Sequence, residues 1–210
     1  MTGYFDQHHL PRLSKPIMIV GLRSNTDLGY RCARKIVRLL KARRFAEYYS
    51  DWFPDMALVD RNGLCNLPRW VFYESSTVDS NVMILNGVTD IASEQTEGYY
   101  STVNEIIEFS KKLAINMIVI LDGMITEENG KDSVKVAATT LQLIKRAKLH
   151  KAQILRKTAL PPTPSILMGL SQFHSLPAML VVGSARHPRA DDTEIDTVLS
   201  FLRKTIGLKA

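Results

Sequence analysis

The chain has 210 residues, 45% of them hydrophobic and 23% charged, with a formal net charge of +6 and a pI near 9.3. That length and balance predict one globular domain with a sizeable core, and no apolar run approaches the ~18 residues that a membrane-spanning helix needs. The charge surplus admits acidic-protein or nucleic-acid partners without bearing on the fold.

Residues Met1 to Ser14 mix polar side chains with Asp6, His8, His9 and a proline. They read as a solvated tail preceding one domain over 15–210. An apolar signal region is missing from them, so a cytoplasmic location is expected.

Pro16-Ile17-Met18-Ile19-Val20-Gly21 is a short continuous apolar run between turn residues, the pattern of a strand buried on both faces. A helix follows to about Ala42, with Asn25, Thr26 and Asp27 as competing N-caps. Its wheel places Leu28, Cys32, Ile36, Leu39 and Leu40 on one side, while Arg31, Arg34, Arg38 and Lys41 fall opposite. Arg43 and Arg44 are read as the helix end, and Phe45 to Tyr49 as a second strand, which implies parallel strands joined by a crossover.

Asp51-Trp52-Phe53-Pro54 reads as an aromatic loop. Met56 to Val59 and Arg69 to Glu74 flank Asp60-Arg61-Asn62-Gly63, whose Asn-Gly pair predicts a small hairpin excursion. Val82 to Leu85, Met117 to Leu121 and Ala178 to Val182 are further buried strands, with a shorter extended piece over Val134 to Ala138. Helices are predicted over Glu94 to Ala114, with a Glu108–Lys112 pair on its outside, through Leu141 to Ile144, and over Ile166 to His174 capped by Ser165. Leu160 to Pro164 is read as non-helical because of its three prolines. The last helix opens on Asp191 and Glu194 as a capping box and closes at Gly207. Alternating strands and helices predict an α/β fold with a mostly parallel sheet covered on both faces.

Ligands of open parallel sheets collect beyond the strand carboxyl ends, here after Val20, Leu85, Leu121 and Val182. The loop from Gly21 to Gly29 lacks both the phosphate-loop and the dinucleotide fingerprints. Asp122 stands at a strand end, and its preferred reading is a turn residue bonding nearby amides. His150, His174 and His187 are scattered, His8-His9 has no companion ligands, and Cys32 and Cys65 have neither nucleophile nor metal-ligand spacing, so two free thiols are expected. No catalytic residue, metal or cofactor is therefore assigned. The partner-binding candidates are the basic residues Arg31, Arg34, Arg38 and Lys41 and the aromatics Trp52, Phe53, Trp70 and Phe72, since large rings outside a core commonly mark an interface.

The order of several short motifs carries a resemblance. They are Pro16 to Gly21 with its helix, Glu47-Tyr48-Tyr49 before Phe53-Pro54, Val59 to Leu64 before Pro68-Arg69, Ile84 to Gly87, Leu167-Met168-Gly169-Leu170, and Leu176-Pro177-Ala178. From about Lys15 to Leu208 the chain resembles the archaeal branch of the proteasome assembly chaperone family, which includes the eukaryotic proteasome assembly chaperone 2. The resemblance implies a three-layer α/β/α sandwich similar to nucleoside phosphorylases, self-association into a homo-oligomer, binding to proteasome α subunits during ring assembly, and no catalysis. Neither a membrane nor nucleic acid is an expected partner. Relatives sometimes carry an ATP-grasp or carboxylate-amine ligase label, which makes a small-molecule enzyme the alternative. The family's glycine-rich first loop is replaced by Leu22-Arg23-Ser24-Asn25-Thr26-Asp27. Some relatives end in a hydrophobic-Tyr-any tail, where this chain reads Leu208-Lys209-Ala210, so the expected partner contact is on the folded body.

Overall fold

The computed structural model describes residues 3–75, 81–92, 96–126 and 133–209. In chain order the elements are β1 (Gly3–Gln7), β2 (Ile17–Leu22), α1 (Leu28–Leu39), β3 (Arg43–Ser50), β4 (Leu58–Val59), β5 (Cys65–Asn66), β6 (Trp70–Glu74), β7 (Val82–Gly87), α2 (Thr96–Lys112), β8 (Met117–Ile125), β9 (Val134–Ala138), α3 (Leu141–Leu149), β10 (Gln153–Ile154), α4 (Pro162–Phe173), β11 (Ala178–Ala185) and α5 (Asp192–Ile206). Among the described residues, nine strands form one sheet in the order β1-β3-β6-β7-β2-β8-β11-β9-β10, and β4 pairs with β5 separately.

The four apolar runs supply the parallel centre, β7-β2-β8-β11. Burial on both faces explains why these strands read as continuous hydrophobic stretches. Antiparallel pairs flank them: β6 on β7, β3 on β6 and β1 on β3 at one side, β9 on β11 at the other. Alternate side chains divide the core in two. Ile19, Ile84, Val119 and Val181 meet α1, α3 and α5, while Met18, Leu85, Ile118 and Leu180 meet α2 and α4. The result is the expected α/β/α sandwich.

Several local expectations change. The segment read as a tail contains β1, paired to β3 from Gly3↔Ser50 to Gln7↔Ala46. His9, read there as solvated, places Nε2 2.8 Å from the buried Glu74 carboxylate. β3 runs in the same sense as β2 but not beside it, because β7 and β6 lie between them. Arg43 and Arg44 begin β3 instead of ending α1, and Leu39 is exposed while Leu28, Cys32, Ile36 and Leu40 are buried. The excursion is the short β4–β5 ribbon turned at Gly63 (φ +80°), whereas Trp70 to Glu74 belongs to the main sheet.

Prolines 162 and 164 lie inside α4, whose N-cap is Pro161. A helix's first turn has amides without intrahelical acceptors, so proline costs no hydrogen bond there. Ser165 is accordingly not the cap, and its hydroxyl donates to the Leu160 carbonyl at 3.0 Å. Lys111, not Lys112, pairs with Glu108, at 2.8 Å. Glu94 lies outside the described residues. The α5 capping box forms as expected, with Asp191 accepting from the Glu194 amide at 2.9 Å and Glu194 accepting from the Asp191 amide at 2.8 Å. Gly207 closes that helix at φ 69°.

Candidate partner-binding surface

The basic face of α1 opens onto a groove of about 510 Å³ between this helix and the start of α5. Arg31, Arg34 and Arg38 line it at helical spacing, so one face of α1 presents all three. Lys41 does not belong to the groove lining. It follows the helix's C-cap in a left-handed turn (φ 48°) leading to β3. Three cations that helical periodicity did not select join the groove: Arg23 after β2, Lys35 on α1 and Arg189 after β11. The loops after β2 and β11 follow the carboxyl ends of parallel strands, so strand-end topology is the signal that could have found Arg23 and Arg189.

These cations are not equivalent. Arg31 is half-buried, donating from Nη1 to the Ala190 carbonyl and lying 3.7 Å from the Asp192 carboxylate, so it fastens α1 to α5. Lys35 is 2.6 Å from Asp196. Arg34 is exposed, donates to the Tyr30 hydroxyl at 3.2 Å and lies over that ring at 6.0 Å from its centroid. Arg23, Arg38 and Arg189 are exposed, and among the described residues none of them makes an ion pair. The groove therefore keeps unneutralised positive charge at its rim.

The aromatic candidates lie elsewhere. Trp70 and Phe72 are fully buried on β6, and Phe53 packs 5.1 Å from Trp70 between ring centroids and 6.0 Å from Tyr48. The Trp70 indole donates to the Thr89 carbonyl at 2.9 Å. Trp52 is half-buried against α2 at Gly98, where a Cβ would come within 2.8 Å of its ring. These rings fill the core on the α2 and α4 side. Strand alternation in β6 turns Trp70 and Phe72 inward, which is why their size does not signal exposure.

At the strand carboxyl ends Asp122 is buried, accepting from Ser24 Oγ at 2.5 Å and from the Gly123 amide at 2.8 Å. Asp90 accepts from Thr163 Oγ1 at 2.6 Å and from the Ile91 amide at 2.8 Å. Burial raises both carboxyls above their ordinary range, although these hydrogen bonds oppose it. The crevice they share with Leu22 and Leu167 holds about 10 Å³, scarcely the space of one water.

His150, His174 and His187 are not brought together there. At the β1 edge Asp6, His8 and Glu47 approach one another within 4.8 Å, yet Glu47 is already held by Arg44 and Arg69, each at 2.8 Å, and by the Tyr49 hydroxyl at 2.9 Å. Two guanidiniums on one carboxylate leave little attraction for a cation. Cys32 is buried in the core with its thiol pushed up by that burial, Cys65 is exposed on β5, and both are free.

Residues 18–210 match the model of the PAC2 family. No curated protein sequence matches the chain. Among solved structures, PbaB of Pyrococcus furiosus, described as an archaeal proteasome activator, is 22% identical with a TM-score of 0.92 over 100% of this chain and 91% of that one. PbaA of the same organism, described as an archaeal homolog of proteasome-assembly chaperone, is 19% identical with a TM-score of 0.81 over 98% of this chain and 83% of that one. A PAC2 family protein of Streptomyces avermitilis is 15% identical with a TM-score of 0.72, covering 91% and 86% respectively. These likenesses concern the fold. No helix among the described residues is long and apolar enough to cross a membrane.

Proposed function

Because this chain belongs to the PAC2 family, we propose that it is a non-enzymatic, self-associating, cytoplasmic protein that binds proteasome α subunits while their rings assemble. The observation that carries this reading is the groove beside α1, with exposed Arg23, Arg38 and Arg189 at its rim, none of which makes an ion pair among the described residues. Cations held on a helix and on two strand-end loops form a fixed surface for an acidic protein patch. The descriptions of PbaA as a chaperone homolog and PbaB as a proteasome activator point to the kind of partner. Opposed charge of this kind speeds encounter and suppresses wrong partners.

The non-enzymatic part is supported by the strand carboxyl ends. Asp122 is held through Oδ1 by Ser24 and the Gly123 amide, Asp90 through Oδ1 by Thr163 and the Ile91 amide, and the space between them is too small for a nucleotide.

The test is co-purification of the chain with proteasome α subunits, comparing wild type with Arg38→Glu/Arg189→Glu. Wild type is expected to retain α subunits and the double reversal to lose at least tenfold in capture. Arg31 is left in place because it fastens α1 to α5. Equal capture by both proteins removes the groove as the contact, and no capture by wild type removes the proteasome reading. Calorimetric titration with ATP and nucleosides is expected to give no saturating heat; a clear saturation would transfer the assignment to an enzyme.

A further inference from the structure

Helix α3 has two leucines on the side that faces away from the molecule. Leu143 and Ala147 are buried in the core to which β9 contributes Val134 and Val136, and they seat the helix. The opposite face presents Leu141, Lys145, Lys148 and Leu149 at helical spacing, all exposed, with Arg146 beside them and Lys151 just past the C-cap. Leu141 and Leu149 are 79% and 81% exposed and stand about 12 Å apart along the helix axis. The charge between them has one sign. No aspartate or glutamate occurs in the sequence between Asp132 and Asp191, and among the described residues Lys145, Arg146, Lys148 and Lys151 make no ion pair. A groove of about 700 Å³ at the helix end takes in His150 and Lys151 but no residue of α3, and the carboxylate in its lining, Asp196, is engaged by Lys35 at 2.6 Å. The outer face of α3 is therefore a convex cationic ridge with an apolar side chain at each end.

We propose that this ridge is a peripheral contact for an anionic lipid bilayer. Lys145, Arg146, Lys148 and Lys151 meet the phosphate and carboxylate groups of the lipids, and a cluster of four cations on one helix is the kind that an anionic surface attracts. Leu141 and Leu149 enter the boundary between headgroups and acyl chains, and the lysine stems lie along it with their ammonium groups in the headgroup layer. A nucleic-acid backbone would satisfy the cations but leave both leucines in water, since α3 has no aromatic ring on which a base could stack. An acidic protein would need a trough with an apolar floor at each end, whereas a bilayer offers phosphate and hydrocarbon together all along its surface. That pairing is what selects lipid as the occupant. The inference does not rest on the proteasome reading, and it leaves the proposed cytoplasmic placement in force because a surface contact needs no spanning helix.

Co-flotation of the full chain with vesicles tests this, using phosphatidylcholine alone and phosphatidylcholine mixed two-to-one with phosphatidylserine. Wild type is expected to float with the mixed vesicles and not with phosphatidylcholine alone. Lys145→Glu/Lys148→Glu and Leu141→Ser/Leu149→Ser are each expected to lower the bound-to-free ratio at least tenfold. All four side chains are exposed, and unchanged circular dichroism checks that the fold is kept. Arg38→Glu/Arg189→Glu, which reverses as many charges on the α1 groove, is expected to lose far less. Wild type that stays free of the mixed vesicles overturns the inference. An equal or larger loss in Arg38→Glu/Arg189→Glu than in the α3 variants also overturns it, because the contact then belongs to the α1 groove. Flotation that falls with the charge reversal but not with the leucine variant reduces α3 to a general polyanion surface and overturns the lipid assignment. Binding of labelled single-stranded RNA with that same charge dependence would then turn the assignment to nucleic acid.

Discussion

Gly29 on α1 lies so close to the Leu121 carbonyl of β8 that a Cβ would have no room between them. The helix is thereby seated on the middle of the sheet, and its outward face, with Arg34 and Arg38, is fixed relative to the strand-end loops that carry Arg23 and Arg189. Replacing Gly29 by Ala forces helix and strand apart, and overpacking of this kind costs about 1–3 kcal/mol. Chemical denaturation of Gly29→Ala should register that loss. Gly169, an exposed position on α4 with open space around it, should do the reverse and gain ~0.5–1 kcal/mol as Ala.

Glu194 is the more consequential half of the α5 capping box. One oxygen accepts from the Asp191 amide and the other from the Arg186 amide, both at 2.8 Å, while the side chain is buried. Glu194→Ala strands two donors and should cost about 2–3 kcal/mol, against ~1 kcal/mol for Asp191→Ala at the exposed cap. Thermal unfolding of the two variants should rank them in that order.

Asp90 and Asp122 give a pH dependence with a definite sign. Burial, the leading cause, raises both carboxyls in the folded chain above their unfolded values. Between those values the folded state holds protons that the unfolded state has lost, so this contribution to stability falls as pH rises. Asn at position 90 keeps an acceptor for Thr163 and Ile91 without titrating. The melting temperature of Asp90→Asn should therefore exceed that of wild type by a margin that grows from acid toward neutral pH, measured by circular dichroism.

Binding of α subunits through the α1 groove should weaken as salt is raised. The Debye length falls from roughly 10 Å at 0.1 M to 3 Å at 1 M ionic strength, and the rim cations are exposed. Surface plasmon resonance should place most of the change in the association rate. Wild type and Arg38→Glu/Arg189→Glu should converge at high salt.

The centre of the fold was legible because its strands are buried on both faces and announce themselves as Ile17 to Val20, Val82 to Leu85, Met117 to Leu121 and Ala178 to Val182. The end of α5 was equally plain, since Asp191, Glu194 and Gly207 act over a few residues. What escaped depends on distant partners. β1 is a polar edge strand that acquires its identity only from β3, and β6 looks like the return of a hairpin until its pairing with β3 and β7 is known. Helical periodicity identified Arg31, Arg34 and Arg38 but could not say that Arg31 is committed to Ala190 and Asp192, nor that Arg189 arrives from the other end of the chain. The aromatic candidates depend on distant pairing in the same way: Trp70 and Phe72 read as part of the excursion, whereas β6 pairs with β3 and β7 in the main sheet and both rings are buried.

The position of β2 between β7 and β8 also has a consequence for synthesis on the ribosome. Its two neighbours are made tens of residues later, and α1 stays without the Leu121 surface it rests on until β8 has emerged. During that interval Ile19, Cys32 and Ile36 belong to a nascent segment with an incomplete core, the state in which chains are captured by holding factors or aggregate. A ribosome-stalled chain ending before Met117 should accordingly be cut rapidly by protease within α1, and one extended past Ala185 should resist.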